Sequence, residues 1–180
     1  MKKINIIGTS GSGKSTFARK LSKQLQFPYL EIDAIFWGKD WYWPSDEEFF
    51  ADLKNALDKE EWVLDGNYTR TTSLKWETVD TVIWIDFSFV RTLYQVINRS
   101  IRNLITKQEL WPGTGNRQTI QRFFSKDSIV LSTIKVYHKN RRKYLKMMDS
   151  SEYAHIHFIH LRSPRECSQF LNEMNPRQNS

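Results

Sequence analysis

The sequence predicts an α/β fold, a five-stranded parallel sheet with helices on both faces. Three observations predict it. Short apolar runs alternate with longer helix-forming segments along the chain, the order that strand–helix–strand units require. The first run, INII, passes straight into a glycine-rich turn and then a helix-forming stretch. With 180 residues, 39% of them hydrophobic, the chain has material for one core rather than two. One domain over 1–174 is therefore expected. The polar tail NEMNPRQNS is expected to fray, at 175–180 in particular.

The elements follow in order. KINIIG reads as a buried strand, β-branched and ended by glycine. SGKSTFARKLSKQL is a helix with Phe17, Leu21 and Leu25 four residues apart. PYLEID is a second short strand. SDEEFFADLKNAL is a helix opened by Ser45, with Glu48 three residues on as a capping box. WVLDG and TVIWIDF are two further strands. Residues 89–104 form a helix with an apolar stripe of Leu93, Ile97, Ser100, Ile101 and Leu104. Residues 105–127 are irregular, with WPGTGN as a turn signal. A long helix over about 128–148 follows, then the strand HIHFIHL and a last helix opened by Pro164.

Residues 8–16 read GTSGSGKST. Gly8, Gly13, Lys14 and Ser15 meet the pattern G-x-x-x-x-G-K-[ST], with a strand before and a helix after, as a phosphate loop requires. The fold class narrows to a P-loop NTPase. The backbone through Ser10, Gly11, Ser12 and Gly13 can turn its N–H groups toward phosphate oxygens, and the helix adds the positive end of its dipole. Lys14 is expected to reach the β- and γ-phosphates of ATP. The Ser15 hydroxyl is expected to ligate Mg²⁺, and Thr16 to add a second hydroxyl. Two strands end in aspartate, Asp65 and Asp86. Asp65 is the favoured partner of the metal because Gly66 lets a ligand approach; Asp86 reads as a strand-end residue capping the next helix.

Composition narrows the class further. No apolar run approaches the ~18 residues of a membrane span, and the apolar stretch of MKKINIIGTS is too short for a signal peptide. Cys167 is the single cysteine, so neither a disulfide framework nor a cysteine metal cluster is expected. His155 and His157 share one face of a strand and His160 lies on the other, so without a third nearby ligand no metal site is expected. A cytoplasmic protein is the simplest reading. The net charge is +7, and residues 90–146 hold 13 Lys or Arg against Glu109 and Asp127. Such a segment is a solvated face or a grip on phosphates, those of a nucleotide or of a nucleic acid.

WVLDGNYTR resembles the D-G-x-x-R stretch of adenylate kinases. LEIDAIFW, WVLDGNY, NRSIR, GNRQTIQRFFSKDSIV, NRRKY and LRSPREC together resemble a smaller group, the adenylate-kinase-related P-loop proteins called DNA topology modulation (FlaR-type) proteins. The resemblance runs along nearly the whole chain. It implies a nucleoside-monophosphate-kinase-like fold, ATP binding and a mobile lid, here about 103–127. Gln95 stands where those kinases carry an arginine against adenine. The basic residue after Asp65-Gly66 is displaced to Arg70 or Lys75.

Spacing adds candidates. Gln95, Arg99 and Arg102 share the face opposite the stripe of their helix, where they would line a nucleotide cleft. In the later helix the stripe runs Val130, Ile134, Tyr137, Arg141, Tyr144, Met148. A guanidinium on an inward face needs an anion, and Arg141 is expected to meet a transferring phosphate or a structural carboxylate. Arg117 would come from the lid.

On the acceptor side, Asp65, Gly66, Asn67 and Arg70 are candidates. So is the stretch at about 34–60, whose Phe36, Trp37, Trp41, Tyr42 and Trp43 form either a self-packed subdomain or a stacking wall. Asp33 fits a general base if the acceptor is a hydroxyl; EID also resembles the acidic pair of shikimate kinase. The expected function is therefore transfer of the γ-phosphate of ATP to a small molecule, nucleotide or alcohol. The competing reading is a regulatory nucleotide-binding protein that contacts DNA through 90–146.

Overall fold

A computed structural model describes residues 1–125 and 128–174. Five strands form one sheet: β1 (Lys3–Ile7), β2 (Tyr29–Glu31), β3 (Trp62–Asp65), β4 (Thr81–Ile85) and β5 (His157–Leu161). Their order is β2-β3-β1-β4-β5, and every pairing is parallel. The helices are α1 (Lys14–Leu25), α2 (Ile32–Phe36), α3 (Asp46–Leu57), α4 (Thr72–Trp76), α5 (Phe89–Thr106), α6 (Ile120–Phe124), α7 (Ile129–Met148) and α8 (Pro164–Glu173). The expected frayed tail at 175–180 lies outside the described residues, as do Lys126 and Asp127.

Two cores explain why the strands are apolar throughout. On one face Phe17, Ala18 and Leu21 of α1 and Cys167 of α8 pack on Ile4, Ile6, Val63 and Ile83. On the other, Phe49 and Leu53 of α3, Trp76 of α4 and Tyr144 of α7 pack on Leu64, Val82 and Trp84. A sheet covered on both sides leaves no polar face, so its strands read as continuous hydrophobic runs. The capping box of α3 is present: the Glu48 N–H donates to Ser45 Oγ at 3.1 Å, and the Ser45 N–H donates to Glu48 Oε2 at 2.8 Å.

Three expectations shift. β2 stops at Glu31, and Ile32 and Asp33 open the short helix α2, so Asp33 projects from a helical turn past the end of the strand. In α5 the buried residues are Thr92, Val96 and Ser100, while Ile101 of the expected stripe is exposed. The reason is the partner. α5 lies against the glycine loop, where a Cβ on Gly11 would sit 2.6 Å from the Thr92 carbonyl oxygen and 2.8 Å from Val96 Cβ. Only small or β-branched side chains fit so close a backbone. In α7 the buried residues are Thr133, Tyr137 and Tyr144, which turns Ile134 and Arg141 toward solvent.

Candidate active site

The loop from Gly8 to Gly13 joins β1 to α1. Its turn is closed by the Ser12 N–H donating to the Thr9 carbonyl at 3.0 Å. At Gly8 a Cβ would lie 2.5 Å from Ser12 Oγ and 2.7 Å from the Ile85 carbonyl oxygen, so the loop coils on itself where no side chain has room. Lys14 begins α1 and is buried, Ser15 is half-buried beside it, and Thr16 is exposed. Ser12 Oγ is buried with no hydrogen-bond partner in the structure. A buried hydroxyl without a partner is costly, and one inside a phosphate loop is suited to a phosphate oxygen. Arg99 reaches over from α5 and donates from Nη2 to Ser10 Oγ at 2.8 Å. Arg102, three residues on, is exposed.

Facing the loop is an acidic group: Glu31 and Asp65 at the ends of β2 and β3, and Asp33 in α2. All three act electrostatically on Arg99. The Tyr29 hydroxyl lies 2.9 Å from Asp65 Oδ2 and 3.0 Å from Glu31 Oε2. Burial, with Asp65 and Glu31 beside it, raises the pKa of that hydroxyl and keeps it a neutral donor. Asp65 is 3% exposed, and its Oδ1 has no partner. A buried carboxylate oxygen left open, at the end of the strand beside the one that feeds the loop, fits Mg²⁺ or its water shell. Ser15 and Asp65 are thus the residues that would hold the metal. The Tyr68 hydroxyl donates to Asp33 Oδ1 at 2.8 Å; burial and the Asp33 charge raise its pKa. Gly66 packs on Ile32, and Asn67 bonds the Tyr144 hydroxyl.

Two of the candidate arginines are held by carboxylates. Arg141 Nε donates to Asp86 Oδ2 at 3.0 Å, and His160 Nε2 lies 2.9 Å from the same oxygen. Asp86 is 5% exposed in its side chain, so Arg141 meets a structural carboxylate, one of the two partners expected for it, beside Thr9 and Ser12 of the loop. Arg70 pairs with Asp46, and its guanidinium lies 5.0 Å from the ring centres of both Phe36 and Phe49. In this structure it braces the acceptor-side subdomain. Lys75, the alternative, is 1% exposed in α4, and the Tyr68 carbonyl oxygen is 3.5 Å from its Nζ.

The aromatic stretch packs on itself and on the segment after α5. Trp37 stacks on Trp111 with ring centres 6.0 Å apart, and Arg122 of α6 lies 3.5 Å from the centre of the Trp41 ring. The Asp40 N–H donates to the Thr114 carbonyl at 3.0 Å and the Trp41 N–H to Asn116 Oδ1 at 2.6 Å; Asn116 Nδ2 donates to the Gly38 carbonyl at 3.0 Å. Asp40 and Trp41 hold φ of 54° and 62°, a left-handed conformation that costs energy for residues with a Cβ. The fully buried Asn116 is what secures it. Arg117, its neighbour, is exposed and bridges Glu109 through the backbone.

Tyr29, Tyr68 and Asn116 were not singled out by the sequence. For Tyr29 a signal existed, because residues two apart on a strand share a face and Tyr29 stands two before Glu31. Asn116 lies in an irregular loop and had none.

The backbone, compared with solved structures, overlays well along nearly its whole length. A shikimate kinase from Bacteroides thetaiotaomicron matches with a TM-score of 0.57 at 12% identity, covering 98% of each chain. The fold is that of the P-loop kinases. A shikimate kinase from Acinetobacter baumannii in complex with shikimate gives 0.54 at 16% identity, over 97% of this chain and 90% of that one. A gluconokinase from Sinorhizobium meliloti gives 0.50 at 14%, over 99% and 95%. A family model described as AAA domain matches residues 4–83, from β1 to within β4 of the P-loop kinase sheet. No curated protein matches the chain in sequence. Among the described residues of this P-loop kinase fold, no helix is long and apolar enough to cross a membrane.

Proposed function

We propose that the chain transfers the γ-phosphoryl group of ATP to a hydroxyl of a small molecule. The observation that carries this reading is the state of the acceptor side. Asp33 is half-buried and held by Tyr68, while Arg70 is paired with Asp46, Arg19 with Glu31, and Arg99 is turned to Ser10 of the phosphate loop. A phosphate acceptor is an anion and would need free cations there. A neutral hydroxyl needs a carboxylate to take its proton. The similar structures, a shikimate kinase and a gluconokinase, are kinases of small molecules and support the class.

The roles follow from the geometry. The loop N–H groups and Lys14 hold the triphosphate and neutralise charge as the bond to the leaving oxygen breaks. Arg99 adds a cation at the rim beside Ser10. Ser15 and Asp65 would hold Mg²⁺, which would supply positive charge to the phosphates. Asp33 accepts the proton as the acceptor oxygen bonds to phosphorus, and ADP leaves. We infer that residues 107–125 act as a lid, since in the structure they dock on the acceptor-side aromatics at Trp41; a closed lid excludes water, which would otherwise hydrolyse ATP. Kinship with the topology-modulation group rests on the quoted motifs and names no reaction.

The test is acceptor-dependent ADP release across sugar acids, cyclic polyols and nucleoside monophosphates. Turnover with a hydroxyl compound is expected. Turnover with nucleoside monophosphates alone would replace this acceptor class with a phosphate.

A further inference from the structure

Away from the phosphate loop, the outer face of α7 runs beside α4 and the turn at Thr69–Thr71, and the space between them is a cavity of about 610 Å³. Lys139, Arg142, Lys143 and Lys146 line it against the single carboxylate of Glu152. Spacings of three and four place these side chains on one face of the helix, over about 10 Å of its length. Like charges so spaced repel and destabilise a helix. None of the four is in an ion pair among the described residues.

A further basic side chain lies inward. Lys75, fully buried behind the turn, has the Tyr68 carbonyl near its Nζ and Lys143 as its charged neighbour. Hydroxyls stand at the wall as well: Thr69, which accepts from Lys143 Nζ at 2.8 Å, Thr72 and Ser150. Met147 and Tyr153 supply an apolar side. Converging cations, hydroxyl donors and a patch for an apolar body are the composition of a site for a phosphorylated compound.

We propose that this groove is a second anion site, separate from the phosphate loop, which takes a small molecule bearing two or more phosphate groups. Four cations against one carboxylate match two phosphates better than one. The volume is that of a metabolite site. A polynucleotide would instead call for cations continuing along an open surface, whereas here they converge on one cavity.

Pyrophosphate without Mg²⁺ is the probe, with binding followed by calorimetry. In the Lys14→Ala variant, whose phosphate loop is disabled, one pyrophosphate site should remain. Adding Arg142→Ser and Lys146→Ser, both exposed positions that leave the core intact, should weaken that site at least tenfold with no fall in melting temperature. Retention of affinity in the triple variant, or no binding to Lys14→Ala at all, would overturn the proposal. So would a single-stranded oligonucleotide that binds the Lys14→Ala protein more tightly than pyrophosphate and loses affinity steeply with salt, since the groove would then belong to nucleic acid. The kinase reading stands apart from this outcome, because it is tested by acceptor-dependent ADP release in the unaltered protein.

Discussion

Lys14, Asp33 and Lys75 show how one residue's surroundings fix its role. Lys14 heads α1 inside the loop, so Lys14→Ala should abolish the rise in melting temperature on adding ATP while leaving the apo melting temperature within a few degrees. A retained shift would mean that the loop does not hold the nucleotide. Asp33→Asn keeps the shape and the Tyr68 contact but removes the base. With a hydroxyl acceptor, kcat should fall by about 10²-fold or more; an effect on KM alone would reduce Asp33 to a binding group. Lys75 is a matter of stability. Burial, aided by the Lys143 charge, pushes its pKa down to about 7 from 10.5. A lysine depressed in the fold binds its proton more weakly there than in the unfolded chain. Between those two values the unfolded state holds more protons, so stability should rise with pH through that window and be flat below it. Urea denaturation at pH 7 and pH 10 should show the wild type gaining on the order of 1–3 kcal/mol more than Lys75→Met over that interval. Equal gains would mean that the lysine reaches water.

At the scale of elements, the contact between the 107–119 segment and the acceptor-side aromatics rests on Asn116. It is buried, and its side chain serves two backbone groups, Trp41 N–H and Gly38 C=O. Leaving buried backbone groups unpaired costs about 1–3 kcal/mol each, and the left-handed Asp40 and Trp41 lose their brace. Asn116→Ala should therefore speed amide hydrogen exchange over 37–43 and 107–119 by tenfold or more. The five strands should keep their protection, because their cores do not touch Asn116. Uniform loss of protection would show that the two segments hold the whole fold together.

For the whole molecule, ligand and fold are linked. A nucleotide at a hundred times its dissociation constant adds about 2.7 kcal/mol of stability. Mg²⁺ should enlarge the thermal shift caused by ATP, and Asp65→Asn should remove the enlargement while sparing the shift with ATP alone, since Asp65 carries the open oxygen Oδ1. An unchanged Mg²⁺ increment would move the metal's partner elsewhere, though Asp86 is already occupied by Arg141 and His160. The basic segment is also divided at this scale. Arg99 serves the loop, Arg122 the Trp41 ring, and α7 the groove.

The sequence by itself determined the sheet, the phosphate loop and the capped helices. Each is encoded by neighbours: β-branched runs, glycines at fixed offsets, Ser45 three residues before Glu48. It also named Lys14, Ser15, Asp33 and Asp65 as candidates, because each belongs to the glycine pattern or follows an apolar run. Only the tertiary structure decided what the long-range pairs do. Periodicity sets which residues share a helix face but not which face turns inward; the tight glycine loop turned Thr92 and Val96 in and left Ile101 out. Likewise the period puts Arg141 within its stripe, but the buried face is set by Thr133, Tyr137 and Tyr144, and Asp86, 55 residues away in the chain, claims Arg141. Asn116 was silent for the same reason, and the burial of Lys75 could not be read from its place after Asp65-Gly66. A side chain's partner depends on segments that meet only when the chain is folded, and their separation in sequence carries no period to read.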